Sequence, residues 1–239
     1  MKETTSTNEN LATVDQQLSG KQLQRRNFLK LAGAGAAGVA FLGMVGCSKD
    51  DDGPDQGGDG LYFGSGDIAI LNYAYALEQL EAAFYIEVAN KPYSGMSDWE
   101  KMLFTDIRDH EIAHREFFKA ALGTNAISNL EFNFGAVNFS NRDNVLATAK
   151  TFEDLGVSAY NGAGWLIKDE AYLGLAGKIV SVEARHAALV RDLISNGSFA
   201  NSEVIDSNGL DVAKSPTVVL QAAAPFIKSR VDVRDLPTY

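Results

Sequence analysis

Glu111-Ile112-Ala113-His114 and Glu183-Ala184-Arg185-His186 are two copies of one pattern, a Glu followed three residues later by a His. Positions three apart on a helix share a face, so each pair offers a carboxylate and an imidazole to the same side of one turn. The chain holds three His in 239 residues. With Glu at about one residue in twenty, two such pairs arise by chance roughly one time in a hundred.

Around each pair the sequence has helical period. Leu103, Ile107, Glu111, His114, Phe118 and Ala121 keep step from about Ser97 to Leu122, behind a capping box at Ser97-Asp98-Trp99-Glu100 and ahead of Gly123. Leu173, Ala176, Val180, Glu183, Ala187, Val190 and Ile194 do the same from about Asp169 to Ser195, closed by Asn196-Gly197. Two more segments share the period. One runs from about Gly66 to Asn90 (Leu71, Ala74, Glu78, Glu81, Tyr85, Val88), the other from about Asn141 to Ile167 (Leu146, Ala149, Glu153, Gly156, Tyr160). Short links join the first segment to the second and the third to the fourth, whereas residues 123–141 are longer and aperiodic. The expected fold is all-α: two helical hairpins joined by a long crossover between helices 2 and 3, the ferritin-like variant of the four-helix bundle. Ser215-Pro216-Thr217 caps a further short helix, from about Pro216 to Lys228. No internal sequence repeat is seen.

Charges stand on the wrong face. Glu78 and Glu81, Glu111 and His114, Glu153, and Glu183 and His186 occupy the apolar stripes of the four helices. A buried unpaired carboxylate is costly or takes up a proton, so these helices need a compensating charge, most economically a metal. Four carboxylates and two divalent ions balance. Oxygen-rich ligation with a little imidazole suits iron or manganese, and one Cys excludes a disulfide framework or a Cys-based zinc cluster. With 21 Lys+Arg against 31 Asp+Glu the formal charge is -10, which excludes an electrostatic partnership with nucleic acid.

Three segments resemble a known family. Ala76-Leu77-Glu78-Gln79-Leu80-Glu81-Ala82-Ala83-Phe84-Tyr85, Phe152-Glu153-Asp154-Leu155-Gly156-Val157-Ser158-Ala159-Tyr160-Asn161-Gly162 and Ser181-Val182-Glu183-Ala184-Arg185-His186-Ala187 are similar to exported ferritin-like proteins, a family that includes plant desiccation-related proteins. Leu71-Asn72, Glu78 and Tyr85 resemble the first-helix spacing of bacterioferritin-type ferritins. The resemblance covers about residues 66–196. It implies Glu78, Glu111, His114, Glu153, Glu183 and His186 as ligands of two divalent ions, iron or manganese, with Glu111 and Glu183 bridging. Glu81 departs from ferritins, which carry a small residue there. As a fifth inward carboxylate it is expected to be an alternative ligand to Glu78, to accept hydrogen bonds, to be protonated or to face partly outward.

The first 46 residues read as an address. Arg25-Arg26-Asn27-Phe28-Leu29-Lys30 resembles a twin-arginine signal, and implies export through that machinery, although Gln24 departs from the usual Ser or Thr. Leu31 to Gly46 spans 16 residues, short of the roughly 20 that cross a bilayer. Val45-Gly46-Cys47-Ser48 resembles a lipobox, with Met44 in place of the usual Leu, and implies lipidation at Cys47 and a periplasmic or cell-surface protein attached to a membrane. The Ser-Lys-Asp-Asp run after Cys47 is similar to a surface-export signal of Bacteroidetes lipoproteins. The expected organisation is a signal peptide at 1–46, a lipidated Cys and acidic, Gly-rich tether at 47–65, a ferritin-like domain at 66–196 and a C-terminal extension at 197–239.

Two functions compete: a di-metal oxidase or peroxide-consuming enzyme of manganese-catalase-like chemistry, and a non-catalytic metal-binding or stress-protective lipoprotein. A third, lesser reading pairs the inward Glu and His with Arg108, Arg115 and Arg185. His110 is expected at the surface, pointing away from the site. Tyr85 and Tyr160, each seven residues beyond a Glu of the set, are expected chiefly as core packing, with a hydrogen bond to the site or a redox role as alternatives. Trp99 and Trp165 read as structural, and Gly162-Ala163-Gly164 as a place of close helix packing. Asp50 to Asp59 lacks calcium-loop spacing. A lipidated tether does not fit a storage cage, and the oligomeric state is left open.

Overall fold

The computed structural model describes residues 60–239. The twin-arginine motif at Arg25 and Arg26, Cys47 and the tether up to residue 59 lie outside the described residues. The elements are β1 (Leu61–Tyr62), α1 (Gly66–Asn90), α2 (Asp98–Leu122), α3 (Arg142–Gly164), α4 (Glu170–Ile194), α5 (Pro216–Ala223) and β2 (Val231–Asp232), with 3₁₀ turns at Gly123–Asn125 and Ala224–Phe226. α1 packs chiefly on α2 and α3 on α4, giving two hairpins joined by residues 123–141. No helix among the described residues is long and apolar enough to cross a membrane.

The helix ends follow from local chemistry. Ser97 and Glu100 form the expected capping box on α2, each bonding the other's backbone N–H at 3.1 Å. Asn141 accepts from the Asn144 N–H (2.8 Å) to start α3, and Asp169 from the Ala171 N–H (2.7 Å) to start α4. α2 ends at Gly123, whose φ of 55 suits glycine. α3 ends at Gly164, three residues before the expected Ile167. There the Leu166 N–H turns back to the Ala163 carbonyl (2.9 Å), and the Lys168 and Asp169 N–H groups are taken by the Asp67 carboxylate at the start of α1 (3.0 and 2.8 Å). The last helix also stops early, at Ala223, and tightens into the 3₁₀ turn.

α1 is the axis of the fold. Every residue from Ala69 to Ala82 is buried, so this helix has no wet face. α2 and the second hairpin cover its inner side, and the crossover covers the rest. Asn72 donates to the Phe63 and Asn125 carbonyls (3.0 and 2.8 Å) and accepts from the Ile127 N–H (2.9 Å). One face-repeat on, Gln79 accepts from the Leu130 N–H (2.8 Å). Phe84 then packs edge to face on Phe134 of the crossover and on Phe152 of α3.

The C-terminal extension closes the molecule. The Lys214 N–H bonds the Ser158 carbonyl (2.9 Å), and its own carbonyl presses on Gly162, where an added Cβ would lie 1.9 Å away. Gly162 therefore admits an extended strand of backbone, where the sequence suggested a neighbouring helix. Arg191, buried on α4, holds Asp154 by two bonds of 2.7 Å and reaches Asn201 (3.0 Å) and Glu203 (3.2 Å) of the extension. β1 and β2 pair in parallel, Leu61 beside Val231. Neither tryptophan is in the core: Trp165 caps the end of α3 and Trp99 lies on the outer side of α2, at 85% and 53% exposure.

At the other end, Arg142 joins three helices, bonding Glu100 (2.8 Å) and the Leu193 carbonyl (3.1 Å). Burial works to raise the Glu100 pKa, but hydrogen bonds from Ser97 and Arg142 outweigh it and hold the group down at about 2. A depressed folded pKa stabilises above the unfolded value and is lost as pH falls through the folded one. Glu100→Gln should therefore destabilise by about 1 kcal/mol near pH 7, a modest figure because Arg142 is partly exposed. The gap between wild type and variant should narrow as pH drops from about 4.5 toward 2, which urea unfolding at several pH values measures.

Candidate metal centre

Glu78 of α1, Glu111 and His114 of α2, Glu153 of α3, and Glu183 and His186 of α4 converge midway along the bundle. The four carboxylates have no solvent exposure. Two overlapping clusters result: Glu78, Glu111, His114 and Glu183, and Glu111, Glu153, Glu183 and His186, each with its ligand-type atoms within 4.8 Å of one another. Glu111 and Glu183 belong to both. His114 Nδ1 lies 2.8 Å from Glu183, 3.3 Å from Glu78 and 3.5 Å from Glu111. His186 Nδ1 lies 2.8 Å from Glu111, 3.6 Å from Glu153 and 3.7 Å from Glu183.

These approaches are close but not aligned as hydrogen bonds. Glu78 Oε2, both oxygens of Glu111 and of Glu183, Glu153 Oε2 and both His Nδ1 atoms are buried without a hydrogen-bond partner. Orphaned buried polar atoms are rare in folded proteins, and here they all face one another. Such a donor set fits cations placed among them. The basic residues do not supply the charge: Arg108 pairs with Asp109, Arg115 with Glu116, and Arg185 is exposed.

Without a metal the centre carries protons instead. Burial opposes charge on both imidazoles, yet contacts with Glu111, Glu183 and Glu78 push His114 up to about 12. Contacts led by Glu111 and Glu153 push His186 up to about 12. Glu111, between the two rings, is held at about 2 although burial would raise it. Burial lifts Glu153 to about 8 against the pull of His186, and it lifts Glu78 well above the usual carboxylate range, helped by the charge of Glu183.

The two tyrosines are hydrogen-bond donors to the site as well as core residues. Tyr85 of α1 gives its hydroxyl to Glu153 of α3, and Tyr160 of α3 gives its hydroxyl to Glu78 of α1. Burial, then the negative charge of those carboxylates, raises both phenols, which therefore stay protonated. The exchange exposes a repeat that the sequence did not announce. Glu78 and Tyr85 return 75 positions on as Glu153 and Tyr160, and Glu111 and His114 return 72 positions on as Glu183 and His186. The second hairpin repeats the first at its site residues, and several core positions keep the same offsets: Leu71, Ala74 and Leu80 return as Leu146, Ala149 and Leu155, and Leu103 and Ile107 as Leu175 and Ile179.

Two departures from the repeat lie beside the centre. Glu81 corresponds to Gly156, and the two face each other: a Cβ on Gly156 would lie 2.8 Å from Glu81 Oε1. Glu81 is buried, not turned outward, and burial followed by the fields of Glu183 and Glu111 raises it well above the usual range. It thus sits beside the centre as an acid whose surroundings favour the protonated form, outside the two ligand clusters. The second break is His110, whose counterpart is Val182. His110 is exposed, as expected, but does not point elsewhere: its Nδ1 is 2.9 Å from His186 Nε2. Adjacency to Glu111 hid it, because its partner lies on another helix. Beside Tyr160, Trp165, Leu173, Ala176 and Val180 wall an open groove of about 310 Å³.

Residues 66–196 match the family model of the ferritin-like domain. The chain belongs to that family, with the all-α bundle and a Glu/His cluster able to hold metal ions. No curated protein matches the chain.

The contact between Glu81 and Gly156 gives a direct test. Gly156→Ala should destabilise the metal-free protein by about 1–3 kcal/mol, because a methyl group enters occupied space in a packed core. In Glu81→Ala that space is open, so the same substitution should cost little. Denaturant unfolding of the double-mutant cycle should give a coupling of about 1 kcal/mol or more.

Proposed function

We propose that this chain is an exported, membrane-attached ferritin-like protein that binds two divalent ions, iron or manganese, and consumes oxygen or peroxide at the pair. The observation that carries the reading is the set of orphaned buried atoms from six side chains on four helices. Glu78 and His114 would hold one ion, Glu153 and His186 the other, with Glu111 and Glu183 shared. Such a pair of ions, when bound, supplies Lewis acidity and redox electrons. The protein's own part is positioning. Tyr85 and Tyr160 fix the orientation of Glu153 and Glu78 by holding one oxygen of each, which leaves Oε2 turned to the centre. Burial excludes bulk water and, with the fields of Glu183 and Glu111, favours a proton on Glu81 next to the shared carboxylates. The partly exposed His114 edge, 13% accessible, marks the side open to small molecules.

Export by the twin-arginine route and a lipid anchor at Cys47 complete this reading, and the order of Arg25-Arg26, apolar stretch and Cys47 supports them. Kinship with desiccation-related proteins belongs to the same proposal. The complete burial of the four carboxylates favours a second reading, in which the ions only staple the bundle of a non-catalytic, stress-protective lipoprotein.

Metal analysis of the chain should find about two iron or manganese per molecule, lost in a Glu111→Ala, Glu183→Ala variant. Saturating metal should raise Tm by roughly 5–10 °C, since it binds the folded state alone. No bound metal after anaerobic loading would sink both readings. The loaded protein should accelerate the decay of peroxide or the uptake of oxygen, and Glu111→Ala should abolish this. Decay equal to that of free metal would leave the staple.

A further inference from the structure

We infer that His110 is a positioning residue of the metal centre: it holds the His186 ring with Nδ1 turned to the carboxylates and makes the position beside His186 the tighter of the two. The inference rests on the reading that two ions bind here.

The geometry is that of a bond between ring edges. The nearest nitrogens of His110 and His186 are 2.9 Å apart, the ring centroids are 5.1 Å apart, and the planes differ by 9°. The difference between the two distances equals two ring radii, so the rings lie edge to edge in nearly one plane. For His186 to offer a lone pair at Nδ1, its proton must sit on Nε2. That N–H then points at His110 Nδ1, which accepts it while the His110 proton sits on Nε2. A ligand imidazole whose outer N–H has a fixed acceptor is oriented and made more basic.

His114 has no such support. Among the described residues no side chain hydrogen-bonds its Nε2, and the repeat puts Val182, which cannot accept, at the position that corresponds to His110. His114 is also the more exposed imidazole, at 13% against 6%. The other break in the repeat, Glu81 against Gly156, does not favour one side, because the fields on Glu81 come first from Glu183 and Glu111, the shared carboxylates. His110 is thus what distinguishes the two halves of the centre.

Anaerobic titration of the full chain with Co(II), followed by calorimetry and by the visible spectrum of the bound ion, resolves the two steps. In the wild type they should differ by about 10-fold or more. His110→Ala should weaken the tighter step by about 10–100-fold and the other by less than about 3-fold. His110→Asn, which keeps an acceptor oxygen near the place of Nδ1, should restore most of the difference. The metal-free Tm of both variants should stay within about 2 °C of wild type, since His110 is exposed.

Two Co(II) bound with one affinity in the wild type would overturn the inference and leave the centre standing. So would a His110→Ala variant that weakens both steps equally or neither. Metal-free melting that falls in both variants would show a packing role and overturn it as well. A wild type that binds no Co(II) at all would overturn the centre itself.

Discussion

Four fully buried carboxylates share the middle of the bundle with two imidazoles, of which His114 keeps a partly accessible edge, and the bundle must cancel their charge to stay folded. Among the described residues no arginine or lysine enters to do so; Arg108 and Arg115 are spent on surface acids. In the metal-free protein, contacts with the acids favour protons on both imidazoles, and burial favours them on Glu78 and Glu153. Fixed cations in place of those protons would solve the same electrostatic problem with geometry added. The rest of the molecule serves that solution. Tyrosines orient the terminal acids, the crossover seals the outer side of α1, and the C-terminal extension seals α3.

Much of this was legible in the sequence. The helices announce themselves because apolar residues recur at helical spacing, and the site does so because charge interrupts that spacing on all four. The cover over α1 was not legible. It is held by Asn72, Gln79 and backbone groups of residues 123–130, which leave no period to read. The same holds for residues 197–239, whose contacts with α3 include the Ser158 carbonyl and the bare backbone of Gly162, which carry no side-chain signal. The tyrosines stood at a suggestive spacing, but spacing alone does not show that each would bond the acid of the opposite hairpin. His110 was hidden because its role exists only once two helices are side by side.

The repeat across the hairpins covers the site and part of the core beside it. Leu80 matches Leu155 and Ile107 matches Ile179, while most other positions differ because each hairpin packs on different covers. The two-fold arrangement therefore leaves only a sparse trace in the sequence. It also gives meaning to the departures. Where both halves must do the same thing, the residues agree; where Glu81 meets Gly156, one half has taken the space that the other gave up.

The short parallel pair β1–β2 bears on how this domain carries load. The Leu61 N–H bonds the Arg230 carbonyl and the Phe63 N–H bonds the Asp232 carbonyl, while Gly60 lies directly on the backbone of Val231. Tension applied at Gly60 along the strand therefore meets these bonds in shear, where they resist together. The strain passes to the tail of the chain before it reaches the first turn of α1. A pull at that end of the domain is thus shared with the C-terminal tail on its way to the helix that carries Glu78.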